Sequence, residues 1–185
     1  RSFWLCKKAN RKRALRYNVV RPAKGIPHVE FEIFEPNKEK DVPPGTVTRA
    51  KATCLCCGSV LAPEQVRHQL SEQRGGGDVT FNNDRKRTGG ALLLAVVTLT
   101  PNEQGRHYRL PNVRDYETVF RSQNKLSRIA ETKSINGISV VPNELICINE
   151  IRRISLPIYG MMNWGDLFTA RQKVALVTLA RLVRE

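Results

Sequence analysis

Along this chain the apolar and polar positions change period several times, and each change predicts an element. In "HVEFEIF" the apolar Val29, Phe31 and Ile33 alternate with Glu30 and Glu32, the period-two pattern of a half-buried strand. "EPNKEKDVPPG" is rich in turn residues and predicts a loop, and "GTVTRAKATC" leads a β-branched strand up to Cys54. "DVTFNNDRKRTGG" predicts a short hairpin with an Asn/Asp turn, and "ALLLAVVTLT" is an apolar run with the length of a buried strand. The glycines at 75–77 and 89–90 are expected to be hinges around the hairpin tip.

Helical periods follow. Asn112 can cap a helix with Asp115 at its third position, and Tyr116, Val119, Leu126 and Ile129 then share roughly one face. Thr169 and Gln172 form a T-x-x-Q capping box ahead of a stripe of Leu176, Leu179 and Val183. Between these helices "INGISVVPNELICINEIRRISLPIYG" is irregular, with Pro142 and Pro157 breaking any long element, and is expected to be a surface linker. "APEQVRHQL" predicts a short helix carrying an exposed His68. Strands come first and helices afterwards, which predicts an α+β chain.

Composition narrows the partners. The 185 residues carry a formal net charge of +14 with 41% hydrophobic residues; no apolar run is long enough for a membrane span, and no signal peptide is read. The excess of positive charge favours a polyanion such as nucleic acid. It is concentrated in two places. One is the acid-free N-terminal segment with Lys7, Lys8, Arg11, Lys12 and Arg13, interleaved with Phe3, Trp4 and Tyr17; the other is the Arg85-Lys86-Arg87 tip. Either cluster alone is equally well read as a solvated surface; together with the excess charge and a candidate zinc knuckle they favour nucleic-acid contact. The glycines near the tip fit neither GxxxxGK[ST] nor GxGxxG, so no phosphate loop is read there.

Five cysteines, three of them in "CLCC", do not form a secreted disulfide framework and point to a reducing cytoplasm. Cys54 and Cys57, followed by Gly58, have the spacing of one zinc knuckle: two intervening residues let both sulfurs reach one ion, and the glycine permits the turn. Zinc in a structural site takes four ligands, and no second CxxC occurs; a pair of reduced structural thiols is the alternative. The other candidates are Cys6, Cys56, Cys147, His28, His68 and His107. A finger built on His68 fails, because Ser71, Glu72 and Gln73 occupy the positions where its partner histidine belongs. The chain begins at Arg1 without Met and stops at Glu185 within a helical pattern, so a fragment of a longer polypeptide is expected.

The segments "RSFWL", "GTVTRAKATCLCCGSVL", "RTGGALLLAVVT", "GRHYRLPNVRDYE" and above all "YGMMNWGDLFTARQKVALVTL" resemble the bacterial and archaeal adenine-specific DNA methylases that contain a zinc ribbon. The resemblance spans nearly the whole chain and is most specific from Tyr159 to Gln172. It implies an insertion within a Rossmann-like methyltransferase, between the half that binds S-adenosylmethionine and the half bearing an Asp-Pro-Pro-Tyr motif. It also implies a first CxxC shortly before residue 1, with Cys54 and Cys57 as the second knuckle. Residues 1–110 would be a small antiparallel zinc-ribbon-like module, 111–158 a helix and linker, and 159–185 the start of a methyltransferase-body helix, and the resemblance carries phage defence as an expected role. No [DN]PP[YFW] occurs here, since "DVPPG" lacks the aromatic residue that stacks on a flipped adenine, and the glycine-rich cofactor motif is absent too. No catalytic residue is therefore assigned. The other reading is a non-catalytic zinc-ribbon protein that binds DNA or RNA alone.

Overall fold

The computed structural model describes residues 2–132, 137, 139–150 and 155–184. Among them the elements run β1 (Trp4–Cys6), β2 (Arg13–Val20), β3 (His28–Phe34), β4 (Val47–Thr48), β5 (Lys51–Thr53), β6 (Val60–Leu61), α1 (Pro63–Glu72), β7 (Val79–Phe81), β8 (Arg87–Gly90), β9 (Val96–Thr98), β10 (His107–Arg109), α2 (Val113–Glu131) and α3 (Ala170–Arg184). Small antiparallel sheets and three helices make the chain α+β. No described helix is long and apolar enough to cross a membrane. The chain divides into two compact units, Arg1–Val66 with Leu93–Pro111, and Arg67–Leu92 with Asn112–Glu185.

In the first unit, β2 is the centre of the sheet β1-β2-β3, and its Ala14 and Leu15, on opposite faces, are both buried. The alternation in "HVEFEIF" does what its period predicts: Phe31 lies opposite Tyr17, and Phe3 from the neighbouring segment completes an aromatic cluster at 5.7 Å from Tyr17 and 6.4 Å from Phe31. On the other side of the pleat Arg16 forks onto Glu32, with Nε–Oε2 at 2.9 Å and Nη2–Oε1 at 2.8 Å. That hydrogen-bonded pair lowers the Glu32 pKa and raises that of Arg16.

"GTVTRAKATC" is not a single strand. It folds into the hairpin β4–β5, with Arg49 (φ 49°) and Ala50 (φ 65°) forming the two-residue turn in the left-handed region. Neither residue carries the Asn or Gly that usually signals such a turn, so the alternation of β-branched residues conceals it. β5 then pairs with β6 across the cysteines, Ala52 opposite Leu61 and Thr53 opposite Val60. "ALLLAVVTLT" also departs from expectation. Only Val96–Thr98 pair, with β10, and Leu99 is 76% exposed, so the run is not a buried strand.

The second unit holds the hairpin β7–β8, with Phe81 edge-on to Phe120 of α2 at 5.5 Å and Gln123 donating to the Val79 carbonyl at 2.7 Å. Asn112 caps α2 as predicted: its side chain accepts from the Asp115 N–H, and Asp115 accepts from the Asn112 N–H at 2.7 Å. Val119 is buried, and Tyr116, Leu126 and Ile129 are half-buried along the same face. At α3 the box is equally plain, with Thr169 N–H donating to Gln172 Oε1 at 2.9 Å and Gln172 N–H facing Thr169 Oγ1 at 3.4 Å.

The expected surface linker is partly core. Ile135, Asn136, Ile138 and residues 151–154 lie outside the described residues, but Val141 and Ile146 are buried at 8% and 3% exposure. Ile146 N–H donates to the Met162 carbonyl at 2.8 Å, and Trp164 N–H to that of Glu144 at 3.0 Å. The expected hinges are also better described as close approaches. Gly90 (φ 65°) lies against the Asp78 carbonyl and Gly75 (φ 83°) against Met161, so a Cβ at either position would collide.

Candidate zinc knuckle and cationic surfaces

Cys54 and Cys57 sit where β5 ends and β6 has yet to begin. The turn between them is closed by Gly58 N–H donating to the Cys54 carbonyl at 2.9 Å and Cys54 N–H donating to that of Ser59 at 2.9 Å. Gly58 adopts φ +75° with open space where a Cβ would stand, so its requirement is conformational, not steric. Cys57 Sγ lies 3.2 Å from the Ser59 hydroxyl. The side chain and backbone of Ser59, and then the Cys54 thiol, hold Cys57 below the ordinary thiol pKa. A thiolate is the form that ligates zinc, and the turn sets the Cys54 thiol beside that of Cys57.

Cys6 is on β1, and Cys147 is exposed in the second unit. His28 faces Glu30 at 3.5 Å, His68 faces Glu72 at 3.7 Å from an exposed position on α1, and His107 pairs with Glu103 at 2.8 Å. Cys56 shares the knuckle turn, and its carbonyl accepts from Arg21 at 2.9 Å. Among the described residues no three His, Cys, Asp or Glu side chains gather as a metal site. The donors present fit two of the four positions that structural zinc takes.

No family model, no curated protein and no solved structure matches this chain.

The basic residues divide into engaged and open groups. Lys7 pairs with Glu39 at 2.8 Å and stands over the Trp4 ring at 5.1 Å, Arg13 pairs with Glu35 at 2.7 Å, and Lys12 Nζ reaches the Asn37 carbonyl at 3.5 Å. At the tip, Arg85 lies over Phe120 at 5.4 Å, and Arg87 donates to the carbonyls of Gly90 and Ala91 at 2.9 and 3.0 Å. Asn82 closes this turn by accepting Lys86 N–H at 2.9 Å, with Arg85 at φ 61°. Lys8, Arg11 and Lys86 are exposed, with no acidic partner among the described residues.

Sequence reading missed a further set. Arg121, Lys125 and Arg128 line one depression of about 610 Å³ on α2, and Arg121 also lines a cavity of about 260 Å³ with Arg85. Their spacing of four and three residues is one helical face, and that period could have revealed the stripe.

Asp166, within the most specific stretch of the resemblance, is a structural organiser. Its side chain is 7% exposed, accepts the N–H groups of Met162 and Asn163 at 3.0 Å each, and meets Arg74 at 2.6 Å.

Proposed function

We propose that this chain is the zinc-ribbon-bearing segment of a DNA adenine-N6 methyltransferase and that it contributes grip on DNA. The observation that carries the reading is the turn at Cys54–Gly58, with two thiols, a left-handed glycine and a flanking antiparallel strand pair. Zinc, when bound, would cross-link this turn to a second one through four thiolates, with Cys54 and Cys57 holding one side. The second pair is proposed to come from residues before Arg1. The chain path supports this: Ser2 bridges to Pro44, and the Thr46 carbonyl accepts Thr53 N–H at 2.8 Å, next to Cys54. At strand spacings that route amounts to no more than about 20 Å, within reach of some six extended residues.

The charge of +14 and the open cations Lys8, Arg11 and Lys86 support a polyanionic partner. The described residues offer the Cys54 and Cys57 thiols to zinc but not the glycine-rich motif that holds S-adenosylmethionine, so only the metal is given residues here. Methyl transfer belongs, on this reading, to regions of the parent chain outside these residues. The test is the polypeptide that the whole reading frame encodes. It should methylate adenine N6 in duplex DNA from S-adenosylmethionine and carry an Asp-Pro-Pro-aromatic motif beyond Glu185. A reading frame with neither property would favour the stand-alone binding protein.

A further inference from the structure

Within the first unit a cleft of about 460 Å³ is lined by Arg11, Arg13, Arg106, His107, Tyr108 and Glu103, among others. Arg11 reaches it from the short 3-10 turn Ala9–Arg11, and Arg106 from the loop joining β9 to β10. Three arginines thus line one concavity with a single carboxylate, and that carboxylate is engaged by His107 at 2.8 Å. Arg13 is offset by Glu35. Arg11 and Arg106 have no acidic partner among the described residues. Like charges sharing a concavity repel, and an anion placed between them removes that cost.

The cleft is also built to hold Arg11 in place. Gly105 has φ +111°, and the Arg11 guanidinium occupies the space where a Cβ on that residue would project. The loop is fixed on either side, by Glu103 N–H donating to the Thr100 carbonyl at 3.2 Å and by His107 pairing opposite Thr98. A planar guanidinium laid on a fixed loop loses little further freedom on binding, and its donors match the oxygens of a phosphate.

We propose that this cleft is a phosphate-binding site, with Arg11 and Arg106 as the two guanidinium partners and a nucleic-acid backbone as the source of the phosphate. The choice of backbone over a free phosphate rests on the DNA-binding reading above; the phosphate chemistry of the cleft does not. The same site would accept a small phosphorylated molecule, and the experiment separates the two.

Two titrations of the whole chain decide it. In the first, inorganic pyrophosphate is added while the arginine Nε–Hε signals are followed by NMR. Saturating shifts of Arg11 and Arg106 are expected, that of Arg106 weakened in R11Q and both weakened in G105A, which leaves the charge unchanged but puts a methyl group where the guanidinium lies. In the second, duplex DNA binding is measured by fluorescence anisotropy across a salt series. R11Q should bind about five- to tenfold more weakly at low salt, with the slope of log K against log salt reduced by about 0.9. Arg11→Lys keeps the charge without the fork and should recover only part of the affinity. Pyrophosphate leaving both signals unmoved overturns the proposal. Pyrophosphate binding without any DNA binding supports the phosphate site and overturns the backbone source. DNA binding with an unchanged slope in R11Q overturns the cleft as a backbone contact while leaving the DNA-binding reading intact.

Discussion

The carboxylate of Asp78, just ahead of β7, accepts the backbone N–H of Ala170 at the start of α3, with Oδ2 at 3.1 Å. Ala170 is 1% exposed, so this N–H has no water to turn to. Asp78 thereby acts as a cap supplied from elsewhere in the chain, beside the local box of Thr169 and Gln172. D78A should destabilise the second unit by about 1–2 kcal/mol in urea unfolding, and Asp78→Asn, which keeps an acceptor, should recover most of the loss. Equal losses in the two variants would mean that the hydrogen bond contributes nothing.

Asp166 organises the turn that precedes α3. Removing its side chain leaves two backbone N–H groups and Arg74 without their acceptor, so D166A should cost about 2–3 kcal/mol. R74A, at the exposed end of the pair, should cost well under half as much. Thermal and urea unfolding of the two variants check the ranking.

Much of this architecture is legible in the sequence where the signal is local. β3 follows its period of two, α2 its Asn112 cap, α3 its Thr169–Gln172 box and β7–β8 its Asn/Asp turn. The misses have physical causes. Arg49 and Ala50 form a tight turn without turn chemistry, and the apolar composition of "ALLLAVVTLT" says nothing about whether a partner strand covers it. Gly75 and Gly90 were legible as glycines, but the neighbours that need their missing side chains come from folding. The knuckle was visible as spacing. The cleft was not, because Arg11 and Arg106 meet only through the fold.

The Arg49–Ala50 turn gives a stability prediction of the opposite sign. Both residues hold positive φ, a conformation that costs an L-residue about 1 kcal/mol or more. Replacing the pair by Asn-Gly should therefore stabilise the first unit by about 1 kcal/mol, read as a higher urea midpoint with an unchanged m-value. A lower midpoint would show that the turn is held by side-chain contacts instead.

Cys57 is exposed, and Ser59 lowers its pKa, so more of it is thiolate at neutral pH than of an ordinary cysteine. In metal-free protein, iodoacetamide should modify Cys57 faster than the exposed Cys147, and S59A should slow the reaction of Cys57. Rates measured by peptide mass spectrometry decide it, and a faster Cys147 would contradict the assigned effect of Ser59.

At the hairpin tip the three cations should behave differently. Arg85 is laid on Phe120 and Arg87 is spent on two carbonyls, so replacing either one changes the hairpin as well as the charge. K86A is the clean variant. It should weaken DNA binding nearly equally for all sequences and lower the salt slope by about 0.9 while leaving unfolding unchanged. An altered site preference would mean that Lys86 reads bases.

Metal analysis of the polypeptide as its reading frame encodes it tests the Cys54–Cys57 knuckle most directly. One zinc per chain, with four sulfur neighbours by X-ray absorption, is predicted. It should be lost in C54S and in C57S and kept in C6S and C56S. Absence of zinc, or zinc that survives C54S and C57S but disappears with Cys6 or Cys56, would contradict it.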